Sequence, residues 1–137
     1  MSTSNETSTI SQVIAGAYLT KGSIGNVGLP GAPIAHFSLV VVPSQNTVTG
    51  VVEITQAINR PPILVHVKGT IRHTGYGDVT QIVNLTGEYV VSVPPPAIGS
   101  YLEKFTAYMD IDNDWNGIGG FTYGSESIRD VPVKSIE

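Results

Sequence analysis

"IAHFSLVVVPSQNTVTGVVEIT", residues 34–55, decides the fold class, because two alternating apolar segments meet at a short turn. The turn, Pro-Ser-Gln-Asn at residues 43–46, is typical of a tight reversal. Folding the segments back on this loop places Phe37 opposite Val52. Since successive side chains of a strand point to opposite faces, the apolar residues of both segments then share one side. The stretch predicts an antiparallel hairpin with one buried face.

The same alternation recurs along the chain, with turn signals such as "GLPGAP", "NRPP" and "TGYGD" between the segments. The alternating segments cover residues 13–20, 34–42, 47–57, 63–73, 79–93, about 103–112, 118–124 and 127–134. The sequence therefore predicts an all-β fold of seven or eight antiparallel strands. A small closed barrel and a two-sheet sandwich both hide strand edges, and both stay open.

Two further hairpins can be registered in the same way. A turn at residues 74–78 places three outward residues opposite three others: His66 opposite Thr86, Lys68 opposite Asn84 and Arg72 opposite Thr80. A turn at residues 113–117, with positive φ angles at Asn116 and Gly117, places Phe121 opposite Met109. Ser100 and Glu103 have the spacing of a capping box, so at most one short helical turn is expected, near residues 100–105.

Length and composition bound the domain organisation. The chain has 137 residues, 41% of them hydrophobic, which suits one domain with a single core. Residues 1–12 are polar and offer little surface to bury, so we expect a disordered tail there and one all-β domain over residues 13–137. The absence of cysteine excludes disulfides and thiolate metal sites.

Charge and hydropathy exclude two classes of partner. A net charge of −4 with only 13% charged residues provides no basic surface, so no nucleic-acid partner is expected. No apolar run reaches the roughly 18 residues that a membrane-spanning helix needs. The first residues contain no apolar signal segment, which predicts a cytoplasmic location by default and leaves export without a cleavable signal open.

The acidic stretch "DIDNDWNG", residues 110–117, begins like a calcium loop. Asp110, Asp112 and Asp114 stand at alternate positions, but Trp115 replaces the glycine expected at the sixth position and Phe121 the glutamate expected at the twelfth. One hypothesis is a calcium site. The other is a polar hairpin tip, in which strand alternation alone places Asp110 and Asp112 outside.

Trp115 has two interpretations of its own. It either folds over one end of the core or, with Asn116 beside it, presents a ring on which a sugar stacks.

Basic and histidine side chains supply the other candidate sites. A basic row is formed by His66, Lys68 and Arg72. With Glu88 on the neighbouring strand, this row is able to bind an anion. The alternative interpretation is that it is simply the solvent-exposed face of the sheet. His36 faces Glu53 across a hairpin, as a base with its orienting carboxylate or as an ordinary cross-strand pair. No nucleophile elbow or phosphate-cradling glycine motif occurs. These observations predict a protein that is not an enzyme.

Three motifs carry a resemblance: "GLPGAP" (28–33), "TGVVEITQAINRPP" (49–62) and "DWNGIGGFTYG" (114–124). On these motifs, residues 13–134 resemble a family of small bacterial proteins known as a domain of unknown function. The resemblance implies a small bacterial all-β domain and brings no catalytic or binding residues with it.

Three functional hypotheses follow. The leading one is a non-enzymatic interaction or accessory module with a protein partner or a second copy of itself. The alternative is a calcium-assisted, carbohydrate-binding, lectin-like module that uses the loop of residues 110–117. The third is an enzyme or carrier that uses the interior of a closed sheet, which requires an internal cavity lined by polar groups.

Overall fold

The structure is a computed structural model that describes residues 16–56, 60–75, 77 and 79–136. Eight strands account for most of this part of the chain. They are β1 (Tyr18–Ile24), β2 (Ile34–Val42), β3 (Thr47–Thr55), β4 (Ile63–His73), β5 (Gln81–Ser92), β6 (Ser100–Ile111), β7 (Gly117–Tyr123) and β8 (Glu126–Ser135). The one helical element in the described residues is a 3-10 turn, Pro43–Gln45, between β2 and β3.

The strands form an antiparallel barrel in sequence order. Each strand pairs with its neighbours in the chain, and β1 pairs with β8 to close the sheet. The prediction of seven or eight antiparallel strands is confirmed, and the closed barrel replaces the sandwich alternative. The tail predicted at residues 1–12 lies outside the described residues.

The register predicted for the first hairpin is confirmed. Phe37 pairs with Val52 and His36 with Glu53 across β2 and β3. The turn ends at Asn46, whose left-handed backbone (φ 56°) allows its N–H to bond the Pro43 carbonyl. A short turn with few possible geometries leaves little freedom for a register error.

The registers predicted for the other two hairpins are each wrong by two residues. His66 pairs with Glu88 rather than Thr86, because the connection between β4 and β5 is longer than predicted, with the Thr74 N–H bonded to the Thr80 carbonyl. Phe121 pairs with Ala107 rather than Met109. The positive φ (63°) in that turn lies at Trp115 rather than at Asn116 and Gly117. A shift of two residues keeps every side chain on its predicted face.

Two predicted boundaries are also corrected. The helical turn considered at residues 100–105 is absent, because this stretch belongs to β6 and pairs with β5 along its whole length. The first strand does not end at residue 20 but runs to Ile24, since Gly22 and Ser23 pair with β2.

Apolar side chains fill the interior of the barrel. Every strand contributes to one buried cluster, whose largest fully buried members include Phe37, Phe105 and Phe121. Eight strands enclose a space just wide enough for side chains to fill. The interior therefore lacks the polar-lined cavity, within the described residues, that an interior binding site requires.

Candidate functional site

The acidic loop of residues 110–117 is a turn organised by its own aspartate. Asp112 Oδ1 accepts the backbone N–H groups of Asp114 (2.9 Å) and Asn116 (3.0 Å). Asn116 Oδ1 accepts the backbone N–H of Ser135 at 3.1 Å, which ties the turn to the end of β8. Among the residues that the structure describes, no three His, Asp or Glu side chains are grouped so that they could hold a metal ion. The loop thus does not bring Asp110, Asp112 and Asp114 together as a calcium site.

Trp115 closes one end of the barrel. Its side chain is 3% exposed, its ring centroid lies 5.8 Å from that of Phe37, and its indole N–H donates to the Tyr18 hydroxyl at 3.2 Å. Burial raises the pKa of Tyr18, and the hydrogen bond from Trp115 partly offsets this effect. The prediction that Trp115 folds over the core is confirmed. Its covered ring offers no face for a sugar.

Part of the predicted basic row lines an open groove on the outer face of β4, β5 and β6. The groove has a volume of about 750 Å³, and His66, Lys68, Glu88 and Lys104 lie along it. Glu88 pairs with His66 on one side and with Lys104 on the other. An anion bound here would meet this carboxylate at the centre of the groove, so the charges favour a mixed surface over an anion site.

Arg72 does not join that groove. It pairs with Ile82 farther along β4, beyond the lining residues. Lys104, which does line it, was missed by the sequence reasoning, because no register was predicted between β5 and β6.

The outward pair of His36 and Glu53 has a third neighbour. The Thr55 hydroxyl lies 3.3 Å from His36 Nε2 on the same face. A hydroxyl beside an imidazole is compatible with a structural hydrogen bond between neighbouring strands. The cross-strand interpretation accounts for this contact in full.

The last four residues of β5 and the first five of β6 extend beyond the barrel wall. These two strands pair from Gln81 and Ile111 to Ser92 and Ser100, whereas pairing of β4 with β5 begins only at Glu88 and pairing of β7 with β6 ends at Phe105. Residues 89–92 and 100–104 therefore form a two-stranded arm, here called the β5–β6 arm. Each of its strands has an edge that no strand of the described chain covers.

The two faces of the β5–β6 arm differ in character. On the inner face, Tyr89 is buried and pairs with Glu103, which accepts its hydroxyl hydrogen bond. Burial, reinforced by the charge of Glu103, raises the pKa of Tyr89 to about 12. This contact fixes the two strands of the arm to each other at its base.

The outer face of the β5–β6 arm is apolar. Val90 pairs with Leu102, and their side chains are 65% and 60% exposed. Leu64 on β4 is also exposed (59%) and lines, with Val90, an open groove of about 720 Å³ between β4 and the arm. Two other exposed apolar side chains at the end of the arm are Tyr101, on its inner face, and Ile98, in the loop between its strands. At the end of this two-stranded arm, large apolar side chains stay exposed to solvent in the monomer. This surface is therefore the strongest candidate for docking.

Comparisons with known proteins identify the family only. The model of a protein family described as "Domain of unknown function (DUF1842)" matches residues 15–128. No curated protein matches the chain. Across the described residues, no helix has both the length and the apolar character to span a bilayer.

Proposed function

This chain belongs to the DUF1842 family of domains of unknown function, and we propose that it is a non-enzymatic module that acts through contacts with proteins. The observation that carries the proposal is the apolar outer face of the β5–β6 arm. The bacterial source of the chain and its cytoplasmic location stay predictions from the sequence.

The exposed row of Leu64, Val90 and Leu102 supports a docking role on energetic grounds. Burying apolar surface is worth about 25 cal/mol per Å². These three side chains leave most of their surface in water, so a partner that covered them would gain this stabilisation. Next to this row, the outward positions of β4 and β5 hold polar residues, as in Lys68, Asn84 and Thr86. The contrast within the same strands favours a surface that is covered in use.

The open edges of the arm support the same role. An uncovered strand edge presents backbone N–H and C=O groups that can pair with another strand. Extended segments of partner proteins commonly bind by adding to such an edge, with pockets for alternate side chains giving specificity. The groove between β4 and the arm supplies apolar space beside one edge.

The lectin-like alternative lacks an equivalent observation. It needs a calcium site and an exposed aromatic ring, whereas Asp112 is engaged by backbone N–H groups and Trp115 is packed on Phe37.

Photo-crosslinking tests the proposed function. A photoreactive phenylalanine analogue at position 102 should give covalent protein adducts, with either another protein or a second copy, when the full chain is irradiated in cells that produce it. The same analogue at Thr49, an exposed outward position on β3, is the matched control. Adducts at position 102 no stronger than at position 49 would refute a docking role for the arm.

A further inference from the structure

We propose that the partner of the β5–β6 arm is a second copy of this chain, joined edge to edge through residues 100–104 of β6. This inference rests on the proposed function and names its partner. It predicts a symmetric dimer in which the two arms merge into one four-stranded sheet.

The backbone of β6 presents its hydrogen-bonding groups to the open edge at alternate residues. The Val93 N–H donates to the Gly99 carbonyl, so odd-numbered residues of this part of β6 point their N–H and C=O groups toward β5. Ser100, Leu102 and Lys104 consequently point theirs the opposite way. The Asp112 N–H, bonded to the Asn116 carbonyl, shows that even-numbered residues at the other end of β6 face β7. In residues 100–104, which precede Phe105, β6 no longer pairs with β7. The N–H and C=O groups of the even-numbered residues there face the open edge.

Two-fold symmetry limits how this edge can pair with itself. When an antiparallel pair is related by an axis perpendicular to the sheet, one residue lies opposite its own copy. Centring the axis on Glu103 or Lys104 would place like charges opposite each other, which is unfavourable. Centring it on Leu102 places an apolar residue opposite itself.

The register centred on Leu102 is also complementary at its flanking positions. Tyr101 then lies opposite the partner's Glu103, where a phenol can donate to a carboxylate. Ser100 lies opposite the partner's Lys104. Because the Leu102 pair and its even-numbered neighbours are hydrogen-bonded pairs, the join contributes about six backbone hydrogen bonds.

The same register makes the exposed apolar row continuous. Val90 lies beside Leu102 on the outer face of one copy. Across the axis the order becomes Val90, Leu102, the partner's Leu102 and the partner's Val90. The two Leu102 side chains thus contact each other across the axis, and each is partly shielded from water by its copy.

Disulfide trapping tests the register directly, because the chain contains no cysteine. In the proposed dimer the two Leu102 Cα atoms lie about 5.5 Å apart, within the range that a disulfide spans. Mild oxidation of Leu102→Cys should therefore give a covalent dimer in good yield. Val90→Cys is the matched control, since it is equally exposed but lies about 14 Å from its copy, three strand spacings away, and should stay monomeric.

Sedimentation of the unmodified chain gives the second readout. The wild type should show a concentration-dependent dimer, and Leu102→Lys should be a monomer with the same circular dichroism, because this side chain is mostly exposed in the single barrel. Leu19→Lys, which alters a still more exposed residue on β1, should leave the dimer intact.

The outcomes separate this inference from the proposed function. A wild-type monomer at all concentrations, or equal disulfide trapping at positions 90 and 102, overturns the second copy as partner. If position 102 then still forms photo-adducts with other proteins, the docking role of the arm stands. If it forms none, both proposals fail.

Discussion

Asp112 is the residue on which the turn between β6 and β7 depends. One carboxylate oxygen accepts two backbone N–H groups, those of Asp114 and Asn116, in the arrangement that short polar side chains commonly adopt in turns. The aspartates at alternate positions thus have separate tasks. Two face outward from a strand or its end, and Asp112 satisfies backbone donors that the turn leaves unpaired.

Replacing Asp112 tests this role. Asp112→Ala removes both acceptor contacts and should lower the free energy of unfolding by about 1–2 kcal/mol, whereas Asp112→Asn keeps the Oδ1 acceptor and should cost less than half as much. Urea denaturation followed by the fluorescence of Trp115 measures both. Equal losses in the two variants would mean that charge, rather than the acceptor geometry, stabilises the turn.

Tyr89 gives the barrel a dependence on alkaline pH. Its pKa is about 12 in the folded state because the phenol is buried and lies beside Glu103, whereas an unfolded tyrosine ionises near pH 10. The unfolded state therefore loses its proton first. The contribution of Tyr89 to stability is complete below about pH 10 and declines as the pH rises toward about 12.

The expected result is a smaller alkaline loss of stability in Tyr89→Phe than in the wild type. Urea midpoints at about pH 9 and about pH 11 give the comparison. Tyr18 and Tyr123, whose pKa values burial also raises, remain in both proteins, so the difference isolates Tyr89. Parallel declines in the two proteins would contradict the assignment.

Strand alternation carries most of the information about the elements of this fold. The strand period alone places Phe37 and Val52 in the core, and both are buried. Strand registers were harder to predict, because a turn of uncertain length can shift a strand by two residues while every side chain stays on the same face. The correct register came only where the turn was short, at Pro43–Gln45.

The β5–β6 arm could not be predicted in this way. Its existence depends on β4 and β7 ceasing to pair before β5 and β6 do, at Glu88 and Phe105. That comparison involves strands far apart in sequence, and nothing within residues 100–104 records it. The burial of Trp115 was predictable, because a lone tryptophan beside an apolar strand is more stable covered than exposed.

An inward-facing glycine allows β4 and β5 to approach closely at one point of the barrel wall. Gly69 on β4 lies so close to the Asn84 carbonyl of β5 that a Cβ would overlap it. Gly69→Ala should therefore lower stability by about 3 kcal/mol or more, since the obstacle is backbone and cannot move aside. Gly28→Ala, in an open loop with φ of 94°, is the control and should cost about 1–2 kcal/mol from backbone conformation alone.

Thermal and urea unfolding of the two glycine variants decide the point. A Gly69→Ala loss no larger than that of Gly28→Ala would mean that β4 and β5 separate easily at this position. The glycine would then reflect strand flexibility rather than close approach.

At the scale of the molecule, the barrel is closed by its shortest junction. β1 and β8 pair at only three positions, Gly22 to Ile24 with Val133 to Ser135, whereas β5 and β6 pair at twelve. Backbone hydrogen bonds at a short junction can open without unfolding the remaining ladders. The β1–β8 seam is thus the place where the closed sheet is expected to open first.

Native-state hydrogen exchange should show this opening as a group of amides in β1 and β8 that exchange with a lower free energy than those of β5 and β6.

Two introduced disulfides provide the decisive comparison. Ser23→Cys with Lys134→Cys joins a cross-strand pair at the seam, and Thr106→Cys with Thr122→Cys joins a pair between β6 and β7. Only the first should raise the exchange free energy of β1 and β8 to that of the central strands. If both cross-links raise it equally, the effect comes from restricting the unfolded chain. If neither does, β1 and β8 exchange only by global unfolding, and the barrel behaves as one cooperative unit despite its short seam.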